Sequence, residues 1–379
     1  MRKKETALLL FALLLVFGSS CSKRAAESPF DYPFIKQIHI NRESGQPYSD
    51  YRAFYVLTED FEPTVESAAE IAQMREVLQY ASSLSLKYAV PWTHFVDVNA
   101  LAPAYISDEE DVKQSCKEMI ADLAMMVKSG DDCELHLHGP LNRELFEQLR
   151  SEHRLHVKHS GLDKLPDYKQ RKSFFFRTFY RRGYQDLVNS LSYGKSLLET
   201  AVYDGKQQVL AFRPGGWDHG SSTQDTLLYF KALSDVGLVA NSGLVTGKFG
   251  SPDWKVGNTP GSNLATVQAG DTSITEVSPT SGPGGYVNPV LPNDYKRLTS
   301  ARDDEMLVIV SVYHLNALQR TSTAPDGTSD AGADQVDVDL TKERQTLESH
   351  FQTVAQLTSE KILYPITLRD LLGIISRKK

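Results

Sequence analysis

Cysteine is scarce in this chain, whose 379 residues contain only Cys21, Cys116 and Cys133. No cysteine lies at the short spacing from another that a thiolate metal site requires, so the sequence does not predict a metal site built from cysteine. Cys116 and Cys133 leave two alternatives open. They form one disulfide in an oxidising compartment, or they remain as two buried free thiols.

An excess of positive charge is also lacking. The chain has 41 Lys and Arg residues against 48 Asp and Glu residues, a formal net charge of −7. Binding to nucleic acid phosphates needs a basic face, so this balance disfavours a nucleic-acid partner. There is likewise no internal repeat and no glycine-rich loop of the nucleotide-binding kind. The composition is that of an acidic globular protein.

No hydrophobic run is long enough to predict a membrane-spanning helix. The longest apolar run, residues 7–17, follows the basic residues 2–4 and precedes Gly18-Ser-Ser-Cys21. This pattern predicts an export signal peptide at residues 1–20. Because the segment resembles bacterial lipoprotein signals, we expect lipidation of Cys21 and an exported lipoprotein anchored to the membrane, facing the periplasm or the cell surface. Ordinary cleavage nearby is the alternative.

Residues 21–50 are polar and predict a tether, and residues 51–379 predict one large α/β domain. Apolar runs predict strands near 52–58, 88–98, 134–138, 208–213, 238–241, 306–314 and 362–366. Helical periodicity predicts helices near 65–86, 111–128, 140–151, 184–204, 221–236 and 340–357. This alternation predicts a parallel sheet covered by helices. Residues 247–295 are rich in Gly, Pro and Ser, with Val, Thr and Ile alternating at 264–277, and they predict a β-rich excursion or long loops.

Polar residues follow several of the predicted strands. Because the carboxyl ends of parallel strands lie at one edge of the sheet, we expect these residues to meet there. They are Glu59 and Asp60, His136 and His138, Arg213, and His314.

His136 and His138 are two positions apart on a strand, so their side chains leave the same face. One aspartate and two neutral histidines form a workable ligand set for a divalent metal such as Zn²⁺. We therefore predict a metal site of Asp60, His136 and His138. A bound ion would lower the pKa of a coordinated water from about 15.7 to near 7. The alternative is that these histidines only make strand-end hydrogen bonds.

Three further residues at the ends of the predicted strands suit catalysis. Glu59 can accept a proton from the attacking water. Arg213 can hold a carboxylate in place or steady negative charge on a carbonyl oxygen. His314 can protonate a leaving amine or bind the oxyanion of the intermediate. The alternatives are that Glu59 is a solvated acid, that Arg213 forms a structural ion pair and that His314 caps a backbone group. Aromatic faces for sugar rings are predicted at Trp217, Tyr313 and Trp254, for which ordinary packing is the alternative.

With these residues identified, the chain resembles the polysaccharide deacetylases, carbohydrate esterases with a partly open parallel (β/α) barrel. Resemblance extends from about residue 52 to residue 372. The matching segments are Thr58-Glu-Asp60, Val90-Pro-Trp-Thr-His-Phe-Val96, Glu134-Leu-His-Leu-His138, Phe212-Arg-Pro-Gly-Gly216 and Val312-Tyr-His-Leu315. The resemblance implies a fold of the polysaccharide deacetylase type with a β-rich excursion, and a metal-binding role for Asp60 with a carboxylate base before it.

The implied function is metal-dependent hydrolysis of N-acetyl or similar acyl groups on an amino sugar of a glycan substrate. Three departures from the family pattern are Glu59 at the position of the base aspartate, Asn142 at the usual place of the second metal histidine, and Asn241-Ser-Gly where family members often have Asp-Ser-Ser. Two other functions therefore stay open, namely a non-catalytic glycan-binding lipoprotein on the same barrel and a glycoside hydrolase.

Overall fold

The computed structural model describes residues 35–63, 65, 67–107, 109–137, 183–215, 219, 223–243, 264–269, 271–279, 296, 304–318 and 340–377. The predicted signal peptide with Cys21, the predicted helix 140–151, and the predicted site residues His138, Trp217 and Trp254 lie outside these residues.

The strands of the described residues form one sheet. They are β1 (Ile35–Gln37), β2 (Ile40–Asn41), β3 (Ala53–Phe61), β4 (Trp92–Asp97), β5 (Asp132–Leu137), β6 (Ala211–Pro214), β7 (Ala240–Asn241), β8 (Leu264–Ala269), β9 (Thr272–Val277), β10 (Glu305–Tyr313) and β11 (Leu363–Pro365). The spatial order is β1-β8-β9-β7-β6-β5-β4-β3-β10-β2, with β11 beside the start of β3. From β10 through β9 all neighbours pair in parallel.

The sheet is open rather than closed into a full barrel. Its two edges are β1 and β2, which pair antiparallel with β8 and β10. The α/β class with a partly open parallel sheet, predicted from the alternation of strands and helices, is therefore confirmed. The β-rich excursion is present as the antiparallel hairpin of β8 and β9.

Helices alternate with the central strands. They are α1 (Ala68–Tyr88), α2 (Pro103–Ile106), α3 (Glu110–Lys128), α4 (Tyr184–Val202), α5 (Thr223–Asp235), α6 (Leu340–Ser359) and α7 (Leu368–Ser376). Two short 3₁₀ helices, Val98–Leu101 and Leu315–Leu318, follow β4 and β10. None of the helices in the described ranges combines the length and the apolar character needed to cross a membrane.

The central strand β3 is buried along its whole length and separates two apolar clusters. Tyr55 and Leu57 face the cluster formed with the covering helices, which we call the outer face. Phe54 and Val56 face the second cluster, which includes Phe95 and which we call the inner face. Alternation along a strand accounts for this division, since successive side chains point to opposite sides.

Two expectations differ from the structure in detail. The last part of the segment predicted as a tether contains β1 and β2, so the paired sheet begins before residue 51. Of the two alternatives for Cys116 and Cys133, the structure has the free thiols, both buried in the outer cluster.

The amino end of α1 carries a capping box that orders the connection from β3. The Ser67 hydroxyl accepts the Glu70 amide, and the Glu70 carboxylate accepts the Ser67 amide. We expect Ser67→Ala to lower the free energy of unfolding by about 1 kcal/mol, because it removes the cap. Urea denaturation measures this. The control is Ser83→Ala, at an exposed position inside the same helix where the hydroxyl only bonds back to the Tyr80 carbonyl. An equal loss in both variants would contradict the capping role.

Candidate active site

The polar residues of the inner face gather at the carboxyl ends of the central strands. Asp60 lies near the end of β3, His136 on β5, Arg213 on β6, and His314 directly after β10. Asp60, His136 and Arg213 are almost completely buried. The predicted meeting of strand ends thus brings four of the predicted site residues to one region.

Arg213 is the anchor of this region. Its Nη1 donates to Asp60 Oδ1 at 2.6 Å, and its Nη2 donates to Thr58 Oγ1 and to Ser242 Oγ, both at 2.9 Å. Its Nε donates to the Ser242 carbonyl oxygen at 3.0 Å, and its guanidinium carbon lies 4.0 Å from the centre of the Phe95 ring. Charge-assisted bonds of this kind fix both the position and the orientation of the carboxylate. Arg213 therefore contacts Asp60 directly.

Asp60 is held in its charged form. Burial raises the pKa of a carboxyl group, but the positive charges of Arg213, His136 and His314 outweigh burial and lower the pKa of Asp60 below its ordinary value. A buried carboxylate that stays ionised at neutral pH is suited to bind a cation.

Three ligand atoms converge beside this carboxylate. One atom each of Asp60, Glu62 and His314 lies within 4.8 Å of the other two, and His314 Nε2 is 3.5 Å from Asp60 Oδ2. The side chains of Glu62 and His314 are 20% and 29% exposed, against 4% for Asp60. The group therefore opens to solvent on the side of Glu62 and His314.

Glu62 was not among the residues predicted from sequence. The signal for it was available, because Glu62 follows Asp60 by two positions and the alternation of a strand continued past its end places both on one face. The matching motif, Thr58-Glu-Asp60, ends before Glu62.

His136 adjoins the group through Glu62. Its Nδ1 lies 2.8 Å from the Arg213 carbonyl oxygen, and its Nε2 lies 2.8 Å from Glu62 Oε1. A carbonyl oxygen only accepts, so Nδ1 carries a proton. The second bond needs a further proton between Nε2 and Oε1. The pair of His136 and Glu62 therefore holds one exchangeable proton beside Asp60.

Glu59 is not part of this group. It points to the outer face, where its Oε1 contacts Nδ1 of the buried His94. His94 Nε2 lies 3.6 Å from Asp131 Oδ2, and the His94 ring stacks on Trp92. The structure thus separates Glu59 from its neighbour Asp60 and gives it an imidazole partner rather than a water at a metal.

The Glu59 and His94 pair retains a proton. Burial raises the pKa of Glu59. Burial lowers the pKa of His94, but the carboxylates of Glu59 and Asp131 outweigh this effect and raise it to about 10. At neutral pH the pair is accordingly a buried imidazolium between two acids, on the side of β3 away from the strand-end group.

Tyr313 is also placed differently from the prediction. It is completely buried on the outer face, with its ring edge-on to Trp92 at a centroid distance of 6.2 Å. A ring without exposed surface cannot stack on a sugar, because alternation at the end of β10 directs Tyr313 outward and leaves His314 at the site.

Searches of protein-family models and of curated proteins give no match to this chain. Among solved structures, one described as a polysaccharide deacetylase from Mycobacterium smegmatis is 10% identical over 90% of this chain and 96% of that chain, with a TM-score of 0.47. The catalytic domain of a peptidoglycan N-acetylglucosamine deacetylase from Eubacterium rectale is 13% identical over 88% of this chain and 94% of that domain, with a TM-score of 0.33.

A CE4 family pseudoenzyme from Bacillus anthracis is 10% identical over 88% of this chain and 68% of that chain, with a TM-score of 0.33. These structures come from the family that the motifs of this chain resemble, and they include both enzymes and a pseudoenzyme. Similarity at this level carries no argument about activity, so the functional assignment depends on the site residues of this chain.

The buried His94 predicts a specific pH dependence of stability. Because its pKa in the folded chain is about 10, above the ordinary 6.5, its contribution is complete below pH 6.5 and is lost as the pH rises through 10. We expect His94→Gln to cost about 3–5 kcal/mol at pH 6.5, since Glu59 then loses its charged partner. That cost should shrink toward pH 10 in urea denaturation.

The matched control is His350→Gln. His350 is equally buried and contacts the Tyr55 hydroxyl, but burial lowers its pKa to about 4, so it stays neutral across this range. Its cost should not change between pH 6.5 and pH 10. A cost of His94→Gln that is equally constant would contradict the charged pair.

Proposed function

We propose that this chain is a divalent-metal-dependent hydrolase that removes N-acetyl or similar acyl groups from an amino sugar of a glycan. The observation that carries the metal-dependent part is the convergence of Asp60, Glu62 and His314 beside a carboxylate that Arg213 keeps ionised. The acyl and glycan parts are supported by the motif resemblance of residues 52–372.

The residues of the group fit a divalent cation. Two carboxylates and an imidazole are oxygen and nitrogen donors of the kind that Zn²⁺ accepts, and they leave positions open for water or substrate. Asp60 has one oxygen on Arg213 and the other toward His314, which fixes the direction of its free lone pairs. We propose Asp60, Glu62 and His314 as the ligands and Zn²⁺ as the expected ion.

A bound divalent ion would lower the pKa of water at the site and polarise a substrate carbonyl group. We assign the proton transfer to His136. With Glu62 engaged as a carboxylate, the proton shared with it resides on His136 Nε2, since Nδ1 is already committed to the Arg213 carbonyl. His136 is then placed to deliver a proton to the departing amine.

Arg213 has a supporting role in this account. Its guanidinium donates to Asp60, Thr58 and Ser242, and it is completely buried. We propose that it orients Asp60 rather than binding the oxygen of the substrate. Glu59 contacts His94 on the outer face, and we propose that it stabilises the sheet and does not accept a proton from water.

The location of the enzyme is proposed from the sequence alone. An export signal at residues 1–20 and acylation of Cys21 would anchor the domain to a membrane and place it next to cell-envelope glycans. Mass spectrometry of the mature amino terminus tests this, and an unmodified terminal residue would exclude the anchor.

Metal content of purified variants distinguishes the proposed ligands from those predicted by sequence. We expect Asp60→Asn, Glu62→Gln and His314→Ala each to lower bound Zn²⁺ from about one equivalent to a small fraction, because each removes a ligand. His136→Gln should keep the metal but lower the release of acetate from acetylated amino-sugar oligomers by about 10²–10⁴-fold, the usual contribution of a general acid. Elemental analysis and an acetate assay give the two readouts.

The control is Glu59→Gln, which should keep both the metal and most of the activity in the fraction that folds. Loss of metal in His136→Gln with retention in His314→Ala would favour the ligand set predicted from sequence and overturn the present assignment. An unaltered chain that binds no metal and releases no acetate would instead support a non-catalytic glycan-binding protein.

A further inference from the structure

Residues 241–243 are the last residue of β7 and the two residues after it, and we call this segment the turn. The turn supplies acceptors for the buried arginine. Arg213 Nε donates to the Ser242 carbonyl oxygen at 3.0 Å, and Nη2 donates to Ser242 Oγ at 2.9 Å. The remaining end of the guanidinium, Nη1, bonds Asp60. The position of Ser242 is therefore one of the factors that set the direction of the Asp60 carboxylate.

A buried glutamate from the next strand holds this turn. Glu276 on β9 is paired in register with Asn241 on β7 and is completely buried. Its Oε2 accepts Asn241 Nδ2 at 2.6 Å, and its Oε1 accepts the Gly243 amide at 3.1 Å and Ser278 Oγ at 2.9 Å. Glu276 thus contacts the residues on both sides of Ser242.

The turn is also closely packed. A Cβ atom at Gly243 would lie 2.5 Å from Cδ of Pro214, the residue after Arg213, so only glycine fits without a shift. His219 Nε2 donates to the Gly243 carbonyl oxygen at 2.7 Å. Residues 241–243 therefore have little room to adjust if Glu276 is lost.

We propose that Glu276 is a positioning residue of the active site, acting on Asp60 through the turn of residues 241–243 and Arg213. The inference rests on the proposed function, because Asp60 matters for catalysis only as part of that site. It gives the β-rich excursion a role, since the β8 and β9 hairpin delivers the carboxylate. Burial lowers the pKa of Arg213. The negative charge of Glu276 opposes this effect, because it favours the charged form of the guanidinium.

Two variants of Glu276 separate positioning from general support of the fold. Glu276→Ala removes the bonds that this side chain makes to Asn241 and Gly243. Glu276→Gln keeps the shape, and a flip of the Asn241 amide restores the contacts, because the Tyr229 hydroxyl that now donates to Asn241 Oδ1 can also accept. The matched control is Glu134→Ala, which removes another completely buried glutamate, one whose Oε2 accepts the Leu210 and Ala211 amides at 2.7 Å each.

Crystal structures of the metal-free variants measure the positioning directly. In Glu276→Ala we expect the separation of Arg213 Nη1 and Asp60 Oδ1 to exceed about 3.5 Å, the limit of a hydrogen bond. In Glu276→Gln and Glu134→Ala it should stay as in the unaltered chain. An intact Arg213 and Asp60 bond in Glu276→Ala would overturn the proposal.

Cobalt binding gives the second readout. With Co²⁺ added to the purified proteins, Glu276→Ala should bind at least about tenfold more weakly and show a changed visible absorption spectrum, as expected when support of a ligand is lost. Glu276→Gln should restore both. If Glu276→Ala does not fold, Gly243→Ala displaces the same turn and takes its place in both measurements.

The two readouts keep the proposals distinct. If the unaltered chain binds no Co²⁺, the metal-dependent function is wrong, while the crystal structures still decide whether Glu276 orients Asp60. If Co²⁺ binds and its spectrum is the same in every variant, the positioning proposal is wrong and the metal site stands.

Discussion

The ion pair of Arg213 and Asp60, buried on the inner face of the sheet, is the interaction on which the site depends. A buried charge is costly unless it is paired and fully hydrogen-bonded, and replacing such a pair by apolar residues often leaves stability unchanged. Here Arg213 bonds Asp60, Thr58 and Ser242 and lies against the Phe95 ring. The arrangement is therefore better explained by the need for a fixed, ionised carboxylate at the strand ends than by stability.

Adjacent residues on β3 serve two separate charge networks. Asp60 joins Arg213 on the inner face, whereas Glu59 joins His94 on the outer face under the helices. Both carboxylates are buried, yet the pKa of Asp60 is lowered while that of Glu59 is raised. The difference follows from their partners. A guanidinium keeps its charge, while an imidazole and a carboxylate share a proton. Two successive acids in the sequence thus have different chemistry because a strand alternates.

Much of the fold could be predicted from the sequence, because it depends on local patterns. The apolar run at β10 and the helical periodicity of α1, α3 and α6 lie close to their predicted ranges. The expectation that the carboxyl ends of parallel strands meet at one edge of the sheet also placed four site residues in one region. They are Asp60, His136, Arg213 and His314. These predictions needed only periodicity and the geometry of a parallel sheet.

Other features of the site needed contacts that a linear pattern does not contain. The partner of Glu59 is His94, 35 positions away, and only the strand register of β3 and β4 brings them together. The link from Glu276 to Arg213 passes through residues 241–243, at the end of another strand, β7. Nothing in the composition of residues 247–295 indicates this link. Tyr313 and Glu62 were within reach of sequence reasoning, since alternation alone assigns one to the outer face and the other to the site.

The most direct test of the account is a crystal structure of the chain grown with Zn²⁺, with the ion located by its anomalous scattering. We expect a single strong anomalous peak about 2.0–2.2 Å from oxygen atoms of Asp60 and Glu62 and from a nitrogen of His314, with Arg213 still bonded to Asp60. An ion bound by other residues would contradict the proposed metal site. So would the absence of a peak at Asp60, Glu62 and His314 in saturating Zn²⁺.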